Sequence, residues 1–268
     1  MRVFALQLES FKENLMQSLF NSIPKQSVVV LPEYVINPFF HHNMGLDVNE
    51  INAQSARAME FLSQKCEELD LIISAPVLLE EDSKVYKKIA LISKENIQYY
   101  TQQRLIPYPH WDEESFFDNE KSDFKELLVF ERDGLKIAPL FGFEAHFDEI
   151  WVQAKNQGVD VVLLSSVATF ESNERWRLLC QMRAFCASCV VVRANRIGAY
   201  RQILVEEDQK NEFLWKFYGD SFVALPNGAI ENSLEGKMGA LSAQMDKNEI
   251  DEWAKLWHFR TIKRGLND

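Results

Sequence analysis

The chain has 268 residues, 47% apolar and 26% charged, a balance that excludes a disordered or fibrous protein and leaves room for one large buried core. Its 29 basic and 40 acidic residues give a formal net charge of −11, which argues against a nucleic-acid or anionic-membrane partner. No apolar run approaches the ~20 residues of a membrane span, the opening "MRVFALQLES" lacks the apolar core of a signal peptide, and the four Cys do not form a disulfide framework. A cytoplasmic location is therefore expected.

Short apolar runs alternate with helical patterns along the chain. The runs are "RVFALQL" (2–8), "SVVVLP" (27–32), "LIISAPVLL" (71–79), "KIALIS" (88–93), "LKIAPLFGF" (135–143), "DVVLLSSV" (160–167) and "CVVVRAN" (189–195). Runs without polar alternation suit strands buried on both faces. Between them, Phe11, Leu15 and Leu19 mark a first helix, and Ala58, Leu62, Cys66 and Leu69 a second. Phe147, Ile150, Trp151 and Ala154 mark a third, with Gly158 as its C-cap, and Trp176, Leu179, Cys180 and Ala184 a fourth. After 198 the pattern turns to strands, with "PNG" (226–228) as a turn and the charged "VEEDQKNE" (205–212) as an exposed loop. No internal repeat or domain boundary is evident, so residues 1–268 are expected to form one α/β domain.

Four segments can carry chemistry. Glu33, in "VVVLPEY", stands just past a buried strand, where ligands gather in α/β sheets and where partial desolvation raises a carboxyl toward general-base range; taken alone, an ordinary loop Glu is the commoner case. "QQRLIPYPHWDEESFF" (102–117) packs aromatics, prolines and acids into one stretch, suited to a pocket wall or to a surface loop. "LFGFEAHFDE" (140–149) is a strand-to-helix turn, the geometry that presents a nucleophile, but its apex is Gly142. Glu144, His146, Asp148 and Glu149 suggest metal ligands less than they suggest acids at a helix start, and no metal or other cofactor is expected. Cys186 and Cys189 read as buried, inert thiols, and the adjacent His41 and His42 as surface or pocket rim.

Taken in order, these segments resemble the nitrilase, or carbon–nitrogen hydrolase, superfamily over nearly the whole chain. "VVVLPEY" is similar to its catalytic-Glu motif, "YYTQQRLIPYPHWDEESFF" to its lysine motif followed by a second, structural Glu, and "LFGFEAHFDEIW" to its nucleophile elbow. "GVDVVLLSSVATF", "MRAFCASCVVVRANRIG" and "YGDSFVALPNGAI" are similar to its later elements. The resemblance implies a four-layer α-β-β-α sandwich. It makes Glu33 the base and Glu113 the second Glu. It also puts Tyr34, Trp111, Phe143, Glu144, Val167 and Ala168 around the substrate. Two positions depart from the pattern: Gly142 stands where the family has its Cys, and Gln102 where it has its Lys.

In the family the Glu deprotonates the thiol, the thiol attacks a nitrile or amide carbon, and the Lys with a backbone N–H stabilises the oxyanion. Glycine cannot form that covalent intermediate, and loss of a nucleophile costs on the order of 10⁶ in kcat in a protease example. The leading expectation is a degenerate relative of amidases of amides or N-carbamoyl amines that still binds a small amide, amine or carboxylate. The alternatives are hydrolysis by a Glu33-activated water, a non-catalytic partner of an active relative, or a replacement at 142 in an active lineage. If the scaffold is otherwise intact, Gly142→Cys with Gln102→Lys is expected to restore an acyl-enzyme. The resemblance also implies a homodimer or higher homo-oligomer, paired through 145–157 and 172–187 with Trp151 and Trp176 as anchors.

Overall fold

The computed structural model describes residues 1–206 and 209–260, with side chains left aside for 204–211. In chain order the elements are β1 (Arg2–Gln7), α1 (Glu13–Phe20), β2 (Val28–Val30), α2 (Phe40–Asn43), α3 (Val48–Leu69), β3 (Ile72–Glu81), β4 (Lys84–Ile92), β5 (Ile97–Thr101), β6 (Pro107–Tyr108), β7 (Trp111–Asp112), β8 (Phe130–Arg132), β9 (Leu135–Phe141), a 3₁₀ turn (Gly142–His146), α4 (Asp148–Gln157), β10 (Val161–Ser166), α5 (Asn173–Ala187), β11 (Val190–Asn195), β12 (Ile197–Glu206), β13 (Gln209–Tyr218), β14 (Ser221–Ala224), β15 (Ile230–Leu234), β16 (Gly239–Gln244) and α6 (Lys247–Trp257).

Two six-stranded sheets result, ordered β16-β1-β2-β3-β4-β5 and β15-β14-β11-β10-β9-β8. Each has three parallel strands at its centre, β1-β2-β3 in one and β9-β10-β11 in the other. Parallel neighbours need crossovers, and helices supply them: α1 and α3 in the first sheet, α4 and α5 in the second.

The apolar runs sort themselves by the two-residue period of a strand. Val3, Ala5, Val28 and Val30 face Leu135, Ile137, Val161, Leu163, Val190 and Val192 in the layer between the sheets. Their alternates Phe4, Leu6, Val29 and Leu31 pack against α1 and α3 through Met16, Phe20 and Leu62. On the far side, Leu140, Val162, Leu164 and Val191 pack against Ile150, Trp151, Ala154 and Cys180 of α4 and α5. The molecule is thus an α-β-β-α sandwich, and both faces of each central strand are dry, which is why the runs lack polar alternation.

Several local expectations need correction. "QQRL" (102–105), which from the sequence is expected on a strand, lies just past the end of β5: the Gln102 N–H still donates to the Lys87 carbonyl at 3.1 Å, but the Gln103 backbone N–H turns to the Glu144 carboxylate at 2.6 Å. The stretch 205–212 falls partly outside the described residues; β12 runs to Glu206 and β13 resumes at Gln209, so its ends continue an antiparallel hairpin. α6 was not foreseen from the sequence. Trp151 is not an outward anchor: it is buried in the sheet–helix core, its Nε1 donating to the Ala145 carbonyl at 2.9 Å. Trp176 is half-buried against His146 and Arg193. Cys189 is buried, with burial pushing its thiol up to about 12, whereas Cys186 on the last turn of α5 is exposed. Gly158 does cap α4, at φ 70°. No helix of the described residues is long and apolar enough to cross a membrane.

Candidate active site

The carboxyl ends of β2, β9 and β10 meet at one end of the sandwich. Glu33 follows β2 after two residues, held by its backbone N–H donating to the Ser166 carbonyl at 3.3 Å. Tyr34 next to it takes φ 56°, a left-handed conformation that a non-glycine residue adopts only when its surroundings require it. Here the Tyr34 hydroxyl donates to Glu113 Oε1 at 2.5 Å.

The residue that organises these groups is one the sequence reading passed over. Lys87, on β4, is buried, and its ammonium lies 2.5 Å from Glu33 Oε2 and 2.7 Å from Glu113 Oε1. Glu113 also accepts from Trp111 Nε1 at 3.2 Å and from the Ile106 backbone N–H at 3.2 Å. Glu33 accepts in addition from the Gly142 N–H. Three titratable groups thus share one buried site with their hydrogen bonds largely satisfied, the condition under which buried ions persist.

The protonation states follow from burial and charge together. Burial raises Glu33 to about 7, the attraction of Lys87 opposing it and the Glu113 charge adding to it. Burial alone would lower Lys87, but Glu113 and Glu33 outweigh it and its pKa is raised, so the ammonium stays charged at neutral pH. Tyr34 is pushed well above the usual phenol range by burial and by the Glu113 charge.

Gly142 opens the 3₁₀ turn and is pressed against the next strand. A Cβ there would lie 2.8 Å from Ser166 Cβ, 3.2 Å from Ser166 Cα and 3.3 Å from Glu33 Oε1. Ser166 cannot swing aside cheaply, because its hydroxyl donates to Asn195 Oδ1 at 3.0 Å and accepts from Arg193 Nε at 3.0 Å. A cysteine at 142 would need Ser166 or the turn to shift before its first carbon fits, which weighs against the expected rescue by Gly142→Cys with Gln102→Lys. Gln102 is buried too; its amide donates to the Arg104 carbonyl at 2.7 Å, and its Oε1 has no hydrogen-bond partner among the described residues.

Glu144 and Tyr34, expected around substrate, are walled off from the cavity. Glu144 is fully buried and clamps the elbow, accepting from the Phe141 N–H at 3.1 Å, the Gln103 N–H at 2.6 Å and the Tyr100 hydroxyl at 3.0 Å. Burial raises it to about 7 despite those bonds. Trp111, Phe143, Val167 and Ala168 do line a common cavity of about 390 Å³, together with His110 and Trp176. Neither Glu33, Lys87 nor Gly142 is in its wall. His41 is half-buried between Phe40 and Trp215, and burial lowers its pKa. Among the described residues no group of three or more His, Cys, Asp or Glu could hold a metal ion.

This fold and elbow are those of a known class. Residues 12–255 match the model of the carbon–nitrogen hydrolase family, and the chain belongs to that family. It is 25% identical over 206 residues to an N-carbamoylputrescine amidase of Arabidopsis thaliana, covering 73% of this chain and 67% of that one. A rice N-carbamoylputrescine amidase (Oryza sativa subsp. japonica) is 24% identical over 200 residues, which is 71% of this chain and 64% of that protein. In fold it is similar to a carbon–nitrogen hydrolase from Helicobacter pylori G27, with a TM-score of 0.81 at 16% identity over 98% of this chain and 95% of the other. A CN-hydrolase superfamily protein from Xanthomonas campestris gives 0.80 at 16% over 100% and 98%.

Two outcomes follow from this geometry. Gly142→Ala and Gly142→Cys are each expected to lose ~1–3 kcal/mol in urea unfolding, the usual cost of overpacking. A Gly142→Cys protein as stable as the parent, with a thiol that reacts while folded, would contradict the contact with Ser166.

The second concerns pH. Glu33 and Glu144 have folded pKa values near 7 against about 4.3 unfolded. The native state therefore binds more protons than the unfolded state between those values, and their contribution to stability falls as pH rises through that window. Carboxyl ¹³C NMR titration should show both groups titrating near 7. Urea midpoints should fall from pH 5 to pH 8 in a His41→Gln background, which removes the opposing contribution of the lowered His41. Carboxyl midpoints below 5 would refute the burial argument.

Proposed function

We propose that this chain is a carbon–nitrogen hydrolase family member without thiol catalysis, which holds a small amide, amine or carboxylate in its aromatic cavity. The observation that carries this reading is the 2.8 Å approach of a Cβ at 142 to Ser166. The elbow is closed to a nucleophile, not merely lacking one. The would-be base is occupied as well, with one oxygen on Lys87 and the Gly142 N–H spoken for by the carboxylate.

The two N-carbamoylputrescine amidases among its relatives support a ligand of the N-carbamoyl amine class. The cavity walls support an apolar body: Trp111, Phe143, Val167 and Trp176 offer rings and aliphatic surface. Hydrolysis through a Glu33-activated water is the second reading, and the Glu33 pKa near 7 is what favours it. The same crowding at Gly142 opposes it, since a water would need the space that Ser166 and Glu33 fill. We also infer pairing through the outer faces of α4 and α5, the latter exposing Leu178 and Met182, and a cytoplasmic location.

The test combines binding with turnover. Calorimetric titration with N-carbamoylputrescine, putrescine and butyramide should give saturable heat with at least one of them, and none should release ammonia or amine. Ammonia release at an ordinary enzyme rate, about 1 s⁻¹ or faster, would overturn the reading and favour the activated water. No binding by any of the three would remove this ligand class.

A further inference from the structure

Lys87 and Gln102 are cross-strand partners. The β4–β5 register pairs Ile92 with Ile97, Ala90 with Tyr99 and Lys88 with Thr101. One step further it sets Lys87 opposite Gln102, and the Gln102 N–H donates to the Lys87 carbonyl at 3.1 Å. Asn119 ties the two together: its Nδ2 donates to the carbonyls of Lys87 (3.0 Å) and Gln102 (2.8 Å), and its Oδ1 accepts from the Lys87 N–H at 2.9 Å. Residues directly opposite on adjacent strands lie on one face, with Cβ atoms roughly 4.5–5.5 Å apart. A lysine side chain is longer than that gap, so an ammonium starting from either position reaches the same point.

That point is defined by its surroundings. Glu33 Oε2 and Glu113 Oε1 flank the ammonium at 2.5 and 2.7 Å, and the rings of Tyr34, Phe141 and Phe117 enclose it at 4.5, 5.1 and 5.9 Å. Two fully buried carboxylates without a cation would repel each other and be driven to protonate. Gln102, by contrast, turns its amide toward the Arg104 carbonyl and supplies no charge to the two carboxylates.

We infer that the cation of this site can be supplied from either side of the strand pair, position 87 or position 102, and that Lys87 is the positioning residue that holds Glu33 against the Gly142 backbone. The inference does not depend on whether the chain binds or turns over a substrate. It makes a demand no purely local packing role makes: the two positions must be exchangeable.

The experiment is a swap. Lys87→Gln is expected to lower Tm by roughly 5–15 °C, as removal of one partner from a buried ion pair does, and to raise the Glu33 midpoint above about 7 in a ¹³C carboxyl titration. The groups facing Glu33 are then Glu113, Tyr34 and the more distant Glu144, none of which supplies a positive charge. The double variant Lys87→Gln with Gln102→Lys is expected to recover most of the Tm and return the Glu33 midpoint toward 7. A double variant no more stable than Lys87→Gln, or a Glu33 midpoint that ignores Lys87→Gln, would overturn the inference. Should Lys87→Gln not fold, the double variant decides alone: a folded double supports the exchange, an unfolded one refutes it.

Discussion

The ion bridge Glu33–Lys87–Glu113 is the constraint on which the rest of the site depends. It joins three chain segments at one point: the loop after β2, the strand β4, and the aromatic stretch after β7. Each charge alone would be costly to bury, several kcal/mol in practice. Together, with donors from Tyr34, Trp111, Ile106 and Gly142 on the remaining lone pairs, they tolerate burial. The left-handed backbone at Tyr34 is one strain this bridge holds in place, since the hydroxyl that bonds Glu113 arrives there only through that φ.

The elbow is shaped by a second clamp built on the same logic. Glu144 reaches back to the Phe141 N–H and across to Gln103 and Tyr100, so β9, the 3₁₀ turn and the end of β5 are locked as one piece. That lock brings Gly142 against Ser166, whose hydroxyl is fixed by Asn195 and Arg193. The centre is thus packed through its carboxylates and the Glu144 clamp, with Gly142 set against Ser166. What remains open lies outside this centre, in the cavity walled by Trp111, Phe143 and Trp176.

Much of this was legible in the sequence for physical reasons. Strands buried on both faces must be continuously apolar, and "VVVLP", "DVVLLSSV" and "CVVVRAN" became β2, β10 and β11 within a residue or two. Glu33, Glu113 and Gly142 were reachable because the motifs around them are local. Lys87 was not, because "KVYKKIALIS" reads as a strand with a solvated charged end and nothing local marks which of Lys87 and Lys88 turns inward. A signal was nevertheless present: the turn at 93–96 pairs Ile92 with Ile97, and counting back five residues on each side puts Lys87 opposite Gln102. The packing of Gly142 on Ser166 and the burial of Glu144 depend on contacts between distant segments, which no spacing rule carries. Trp151 shows the converse error, a large ring read as an interface anchor when its own core had room for it.

The burial of Lys87 between the two glutamates is the central claim, and amine-directed footprinting reads it directly. In the folded protein treated with an acylating reagent at pH 8, Lys94, Lys121 and Lys125, whose side chains are half to two-thirds exposed, should be modified readily, while the Lys87 amine itself stays unmodified until denaturant is added. Acylation of Lys87 in the native protein at the rate of those surface lysines would contradict the ion bridge and everything built upon it.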